Sequence, residues 1–215
     1  MCIRDSTYSK VSAWLAFQRA GDLGLVGAEE AGRISREIHA HVHDHGLAER
    51  GTYLASHYGS DAIDSTALLA FTNGFLSAPL ARGTREEIER RLGDGPWLYR
   101  SDLHRRSGEG AFVLCSSWLI SHLIREGELG RARELLEQVI SAASPLGLYS
   151  EEIDPTTGEF LGNFPQAFSQ VGLMSTLLDL EEAEKNPDFS AAPEHEKFKR
   201  SVGPTIGLRG VIAGF

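Results

Sequence analysis

Between Ala111 and Glu126 the chain is apolar nearly all the way round a helix: Phe112, Val113, Leu114, Trp118, Leu119, Ile120, Leu123 and Ile124 leave little room for a wet face. A helix of that kind is stable in water only when other elements surround it. The rest of the chain must therefore supply its cover. The candidates are amphipathic. Val11, Trp14, Leu15 and Phe17 mark a helical face over 7–20, which Gly21 and Gly24 stop. Ile34, Ile38 and Val42 form a stripe on a helix over 28–45, opposite Glu29, Glu30, Arg33, Arg36 and Glu37. Further helices are predicted over 62–75 and 84–92, the second opened by a Thr84–Glu87 capping box. Another is predicted over 129–143, with Ala132, Leu135, Leu136, Val139 and Ile140 inward. A last one has Pro165 near its first turn, where the missing N–H does no harm, and runs to about Glu184, ended by Asn186-Pro187. Seven helices with no convincing paired strands define an all-α fold. Alternation of buried with amphipathic helices suggests hairpins stacked around a centre, as an α-solenoid or an α/α toroid. No fixed-period repeat marks a standard solenoid array.

The connections are longer than packing alone requires. The longest, Ser144 to Gly172, is cut by Pro145, Gly147, Pro155, Gly158, Gly162 and Pro165, yet carries Leu146, Leu148, Tyr149, Ile153, Phe160, Leu161, Phe164 and Phe168. A long loop with its own packing residues is characteristic of a functional segment. Glu151 and Glu152 sit in it, after an apolar approach that suits a carboxylate to general-base work. A second such loop, Trp97 to Gly110, brings together Trp97, Tyr99, Arg100 and Glu109. Its Gly108-Glu-Gly run lacks a third glycine and a preceding strand, so it is not read as a nucleotide-binding turn. In a third, Gly51 to Asp61, Tyr53, His57, Tyr58 and Asp61 could line a sugar site, and Asp61 could equally cap the next helix.

Charge and cysteine content narrow the chemistry. A formal net charge of −9 argues against a nucleic-acid partner and suits a neutral substrate. Cys2 and Cys115 give no disulfide framework, and Cys115 reads as a small core residue. No run approaches the roughly 20 apolar residues that cross a bilayer, and no signal peptide is visible, so no membrane partner is expected and the compartment expected is cytoplasmic. No cofactor is expected. His39, His41, His43 and His45 have the i, i+4 spacing of metal ligands, but a solvated helix C-terminus accounts for them as well, and no metal site is assigned.

Five segments, in order, carry a resemblance. They are Tyr8-Ser-Lys-Val-Ser-Ala-Trp, Tyr58-Gly-Ser-Asp-Ala, Tyr99-Arg, Glu109-Gly-Ala-Phe-Val-Leu-Cys-Ser-Ser-Trp, and the run from Leu148 to Ser169. Together they resemble the bacterial pattern of the family-15 glycoside hydrolases, the glucoamylases and related trehalase-like enzymes. The resemblance covers about 7–184 and matches the C-terminal half of that catalytic domain. It implies a partial (α/α)6 toroid of helical hairpins, truncated at its N-terminus, over 7–186. It also implies inverting hydrolysis of α-glucosidic bonds in oligosaccharides or trehalose. By resemblance, Glu151 is the carboxylate that activates water, Arg100 grips the first glucose, and Glu109 and Phe112 lie beside that subsite. Tyr99, Glu152, Tyr58 and Asp61 are further substrate-binding candidates.

Inversion also needs a general acid. In the family it belongs to a Trp-Glu segment about a dozen residues before the stretch matched by Tyr8, and only Met1 to Thr7 precede that tyrosine here. The isolated chain is therefore expected to be inactive, and an opened toroid to expose apolar surface and associate. Met1 to Ser6 resembles a translated sequencing adapter and is expected to be a non-native prefix. Residues 187–215 are expected to be a loosely packed tail. The competing reading is a non-catalytic helical-hairpin interaction module, in which the same loop residues are merely solvated.

Overall fold

A computed structural model describes residues 6–48, 51–186 and 189. The Met1–Asp5 part of the expected prefix, and the expected tail apart from Phe189, lie outside them. The first hairpin is α1 (Thr7–Asp22) against α2 (Ala28–His45). Ser6 caps α1 by accepting a hydrogen bond from Ser9 N, and Val11 and Trp14 face inward, with Trp14 edge-on to Phe75 at 5.2 Å. Next come α3 (Leu68–Thr72), entered through a 3-10 turn at Ser65–Ala67, and α4 (Ala78–Leu92). A short α5 (Asp102–Ser107) precedes the central α6 (Val113–Glu126), which packs against α3, α7 (Leu129–Ser141) and α8 (Ala167–Lys185). Leu119, Ile120, Leu123 and Ile124 of α6 are buried, as a helix apolar on every side requires. The array is part of an (α/α)6 toroid, its helices joined by loops that the sequence marked as unusually long.

Several local expectations are corrected. The region predicted as one helix over 62–75 is broken: Asp64 accepts from Thr66 N at 2.9 Å and caps the 3-10 turn, so the cap is Asp64 and not Asp61. Helix α4 begins six residues before Thr84, because Pro79 fits its first turn. Thr84 is therefore inside the helix. Its hydroxyl donates to Leu80 O at 2.8 Å and accepts from Leu54 N at 3.0 Å, and no capping box forms. Ile140, expected inward, is exposed. Part of the loop over 97–110 is α5, which Ser101 caps.

Paired strands exist too, each two residues long: β1 (Leu47–Ala48) with β2 (Tyr53–Leu54), and β3 (Gly93–Asp94) with β4 (Trp97–Leu98). A three-stranded sheet joins β5 (Ala111–Phe112), β6 (Glu152–Ile153) and β7 (Phe160–Leu161) in antiparallel order. Two residues are too few for an alternation to show in sequence.

Candidate active site

The β5–β6–β7 sheet places Glu151. Ala111 pairs with Ile153 and Phe112 with Glu152, and Val113 N donates to Glu151 O at 3.2 Å, which seats the long loop on the N-terminal end of α6. The turn between β6 and β7 is held by Asp154, whose carboxylate accepts from Thr156 N at 2.7 Å and Thr157 N at 3.2 Å. Two more helices fix the loop. Tyr149 OH donates to Val139 O of α7 at 3.1 Å, and Ser169 of α8 donates to Ser150 O at 2.7 Å. The segment that sequence punctuation marked as irregular is thus tied to three helices.

Arg100 arrives from the other side. Strand β4 buries Trp97 and Leu98, with Leu98 N donating to Ser116 Oγ of α6 at 3.0 Å. Just beyond, Ser65 N donates to Arg100 O at 2.8 Å, which fixes the backbone where the guanidinium emerges. That guanidinium is exposed and makes no hydrogen bond or ion pair among the described residues. A cavity of about 210 Å³ results, lined by Arg100, Phe112, Glu151, Trp118 and Phe168, with Gln166 and Ser169 at its α8 wall. Cys115 lies in its floor, where burial pushes the thiol's pKa up and keeps it protonated. A larger depression of about 440 Å³ adjoins it through Arg100, lined also by Tyr8, His57, Asp64 and His104.

The predicted site residues divide into groups. Arg100, Phe112 and Glu151 share the smaller cavity. Glu152, one residue along an extended strand, points to the other side. Its Oε2 accepts from Gly110 N at 2.8 Å, and burial, chiefly, raises its pKa, with the charges of Glu109 and Glu151 adding to the effect. Glu109 is exposed beside His104, at 3.7 Å. Tyr99 lies under the Arg105 guanidinium, its phenol pKa raised mainly by burial. Neither Glu109 nor Tyr99 lines the cavity.

Tyr58 and Asp61 lie elsewhere. Tyr58 accompanies the end of α2, 3.0 Å from His41 Nδ1, its pKa pushed up by burial to about 12. Asp61 is exposed and contributes its main-chain oxygen to Tyr53 OH and Arg91. The histidines of α2 form two pairs, His39 with His43 and His41 with His45, at ring separations of 4.4 and 4.6 Å. Among the described residues no three His, Cys, Asp or Glu converge as a metal site. No helix there is long and apolar enough to cross a membrane.

Sequence reasoning did not single out Trp118, Gln166 or Phe168 for the cavity. Trp118 reads as core, because apolar periodicity does not say which residue of a buried helix meets a hollow, and Phe168 reads as a packing residue of the long loop. The available signal was position, since Gln166 and Phe168 open the helix that follows the glutamate loop.

A helical-hairpin array with a carboxylate and a free guanidinium around one hollow is an arrangement found among carbohydrate-cleaving enzymes. A solved glycosidase matches the fold with a TM-score of 0.61 and 20% identity, over 71% of this chain and 44% of that one. Another, solved in complex with glucose, gives 0.60 and 19% over the same shares. Residues 4–178 match the model of the Glycosyl hydrolases family 15, and the chain belongs to that family. It is 39% identical over 196 residues to the trehalase of Mycolicibacterium smegmatis, covering 86% of this chain and 29% of that protein. To the trehalase of Thermoplasma volcanium it is 40% identical over 186 residues, 82% of this chain and 30% of that protein. The chain thus spans under a third of these relatives.

Proposed function

We propose that the chain is the base-bearing part of an inverting α-glucosidase acting on trehalose. Glu151 takes a proton from water, the resulting hydroxide forms the new bond at the anomeric carbon, and the glycosidic bond breaks on the opposite face. Arg100, with its planar donor fork, grips vicinal hydroxyls of the glucose that fills the 210 Å³ hollow, which Phe112 and Phe168 help to line. The adjoining depression receives the leaving sugar. The likeness to curated trehalases favours trehalose over longer glucosyl chains.

The observation that carries this reading is the meeting of Glu151 and an unpaired Arg100 at one cavity. Among the described residues lining that cavity Glu151 is the only carboxylate. Following the family resemblance, we assign protonation of the leaving oxygen to a group outside residues 6–186, and we expect no hydrolysis by the 215-residue chain alone.

The test is a chimera in which residues 7–178 replace the matching segment of the M. smegmatis trehalase. Glucose release from trehalose should be present, and should fall by at least about 10³-fold in Glu151→Gln, the scale of losing an essential proton acceptor. Undiminished turnover in Glu151→Gln contradicts the assignment.

A further inference from the structure

We propose that Asn163 is the positioning residue of the candidate base, fixing one oxygen of Glu151 so that the other meets the water. This rests on the reading of Glu151 as the base.

The contact is unusually complete for an exposed loop. Asn163 Nδ2 donates to Glu151 Oε2 at 2.7 Å, and Asn163 N approaches the same oxygen at 3.4 Å. In return Glu151 N donates to Asn163 O at 2.9 Å, so the two residues are bound through backbone and side chain alike. The carboxamide has one sensible orientation here, because its oxygen turned toward a carboxylate would set two acceptors against each other. Gly162 makes the approach possible. At φ +69 it holds a conformation that disfavours side chains, and a Cβ there would lie 3.1 Å from Glu151 Cβ and 3.2 Å from Oε2. Oε1, by contrast, has no hydrogen-bond partner among the described residues.

A base held at one oxygen keeps the other aimed. Misplacement by about 1 Å costs on the order of 10²-fold in rate. Asn163 does not line the cavity, so its effect passes through Glu151 alone.

Two measurements test this. In the trehalase chimera, Asn163→Ala should lower kcat about 10- to 100-fold with KM within twofold. Asn163→Asp should also move the acidic limb of the pH–rate profile to higher pH, because a second carboxylate disfavours the charged form of its neighbour. A residue of purely structural importance would shift the melting temperature and leave that limb in place. In the 215-residue chain, the Asn163 carboxamide protons should shift in the NMR spectrum on Glu151→Ala. If Glu151→Gln is inactive while Asn163→Ala and Asn163→Asp both keep kcat within twofold and the profile unmoved, the positioning role is wrong and the base assignment stands. If Glu151→Gln stays active, both fall. If the chimera is silent throughout, an unmoved Asn163 carboxamide overturns the proposal and a shifted one supports it.

Discussion

Helix α6 buries ten of its fourteen residues, whereas α8, packed along it, buries five of nineteen. Both are apolar in sequence. On α6 the apolar side chains meet α3, α7 and α8, and even polar residues are enclosed: Ser116, Ser117 and His122 are buried. On α8 the inner face, Leu173, Thr176, Leu180 and Ala183, is covered, while Phe168, Val171, Met174 and Leu178 are more than 60% exposed on the other. Apolar content thus reports what a helix can bury, and its neighbours decide what it does bury.

The contrast predicts a graded series. The largest effect is expected in α6, where Leu123→Ala should cost about 2–5 kcal/mol in denaturant unfolding, since a fully enclosed leucine leaves a cavity. A comparable effect should come from pH. His122 is buried without a partner for Nε2, and burial, chiefly, pushes its pKa down to about 4. Its pKa in the unfolded chain is about 6.5. The folded state is the one that resists protonation, so its contribution is complete above about pH 6.5 and is lost as pH falls toward 4, by about 3 kcal/mol in all. His122→Leu should flatten that part of the stability–pH curve, and an unchanged slope would show that another group is responsible.

Next comes the wall between α4 and β2. Thr84→Val leaves Leu54 N without its acceptor and should cost about 1–3 kcal/mol. The smallest effect belongs to α8: Met174→Ser or Leu178→Ser should change stability by no more than about 0.5 kcal/mol. The same pair should delay aggregation on heating, measured by light scattering, because exposed apolar surface promotes association. A loss near that of Leu123→Ala would mean that the face is covered in solution.

Legibility in the sequence follows the same division. The α6 core was readable because apolar residues at every angle admit one interpretation. The outer face of α8 was not, since periodicity marks no difference between a covered stripe and a bare one. Thr84 reads as a cap because its spacing to Glu87 imitates one, while the helix in fact starts earlier, at Ala78, with Pro79 in its first turn. Glu151 and Arg100 stand out in sequence as loop residues, but the roles proposed for them rest on resemblance, because loops far apart in sequence meet only after folding. Asn163 carried no signal at all. Its contact with Glu151 arises from the hairpin that returns β7 toward β6, formed from strands too short to announce themselves.

Arg100 stands at the divide between two basins, one beside the glutamate and one beside Tyr8 and His57. A group shared in this way cannot be tuned for one occupant without retuning the other. Under the trehalose reading proposed above, the two glucose halves would meet at that one planar cation, so each would sense the fit of its twin.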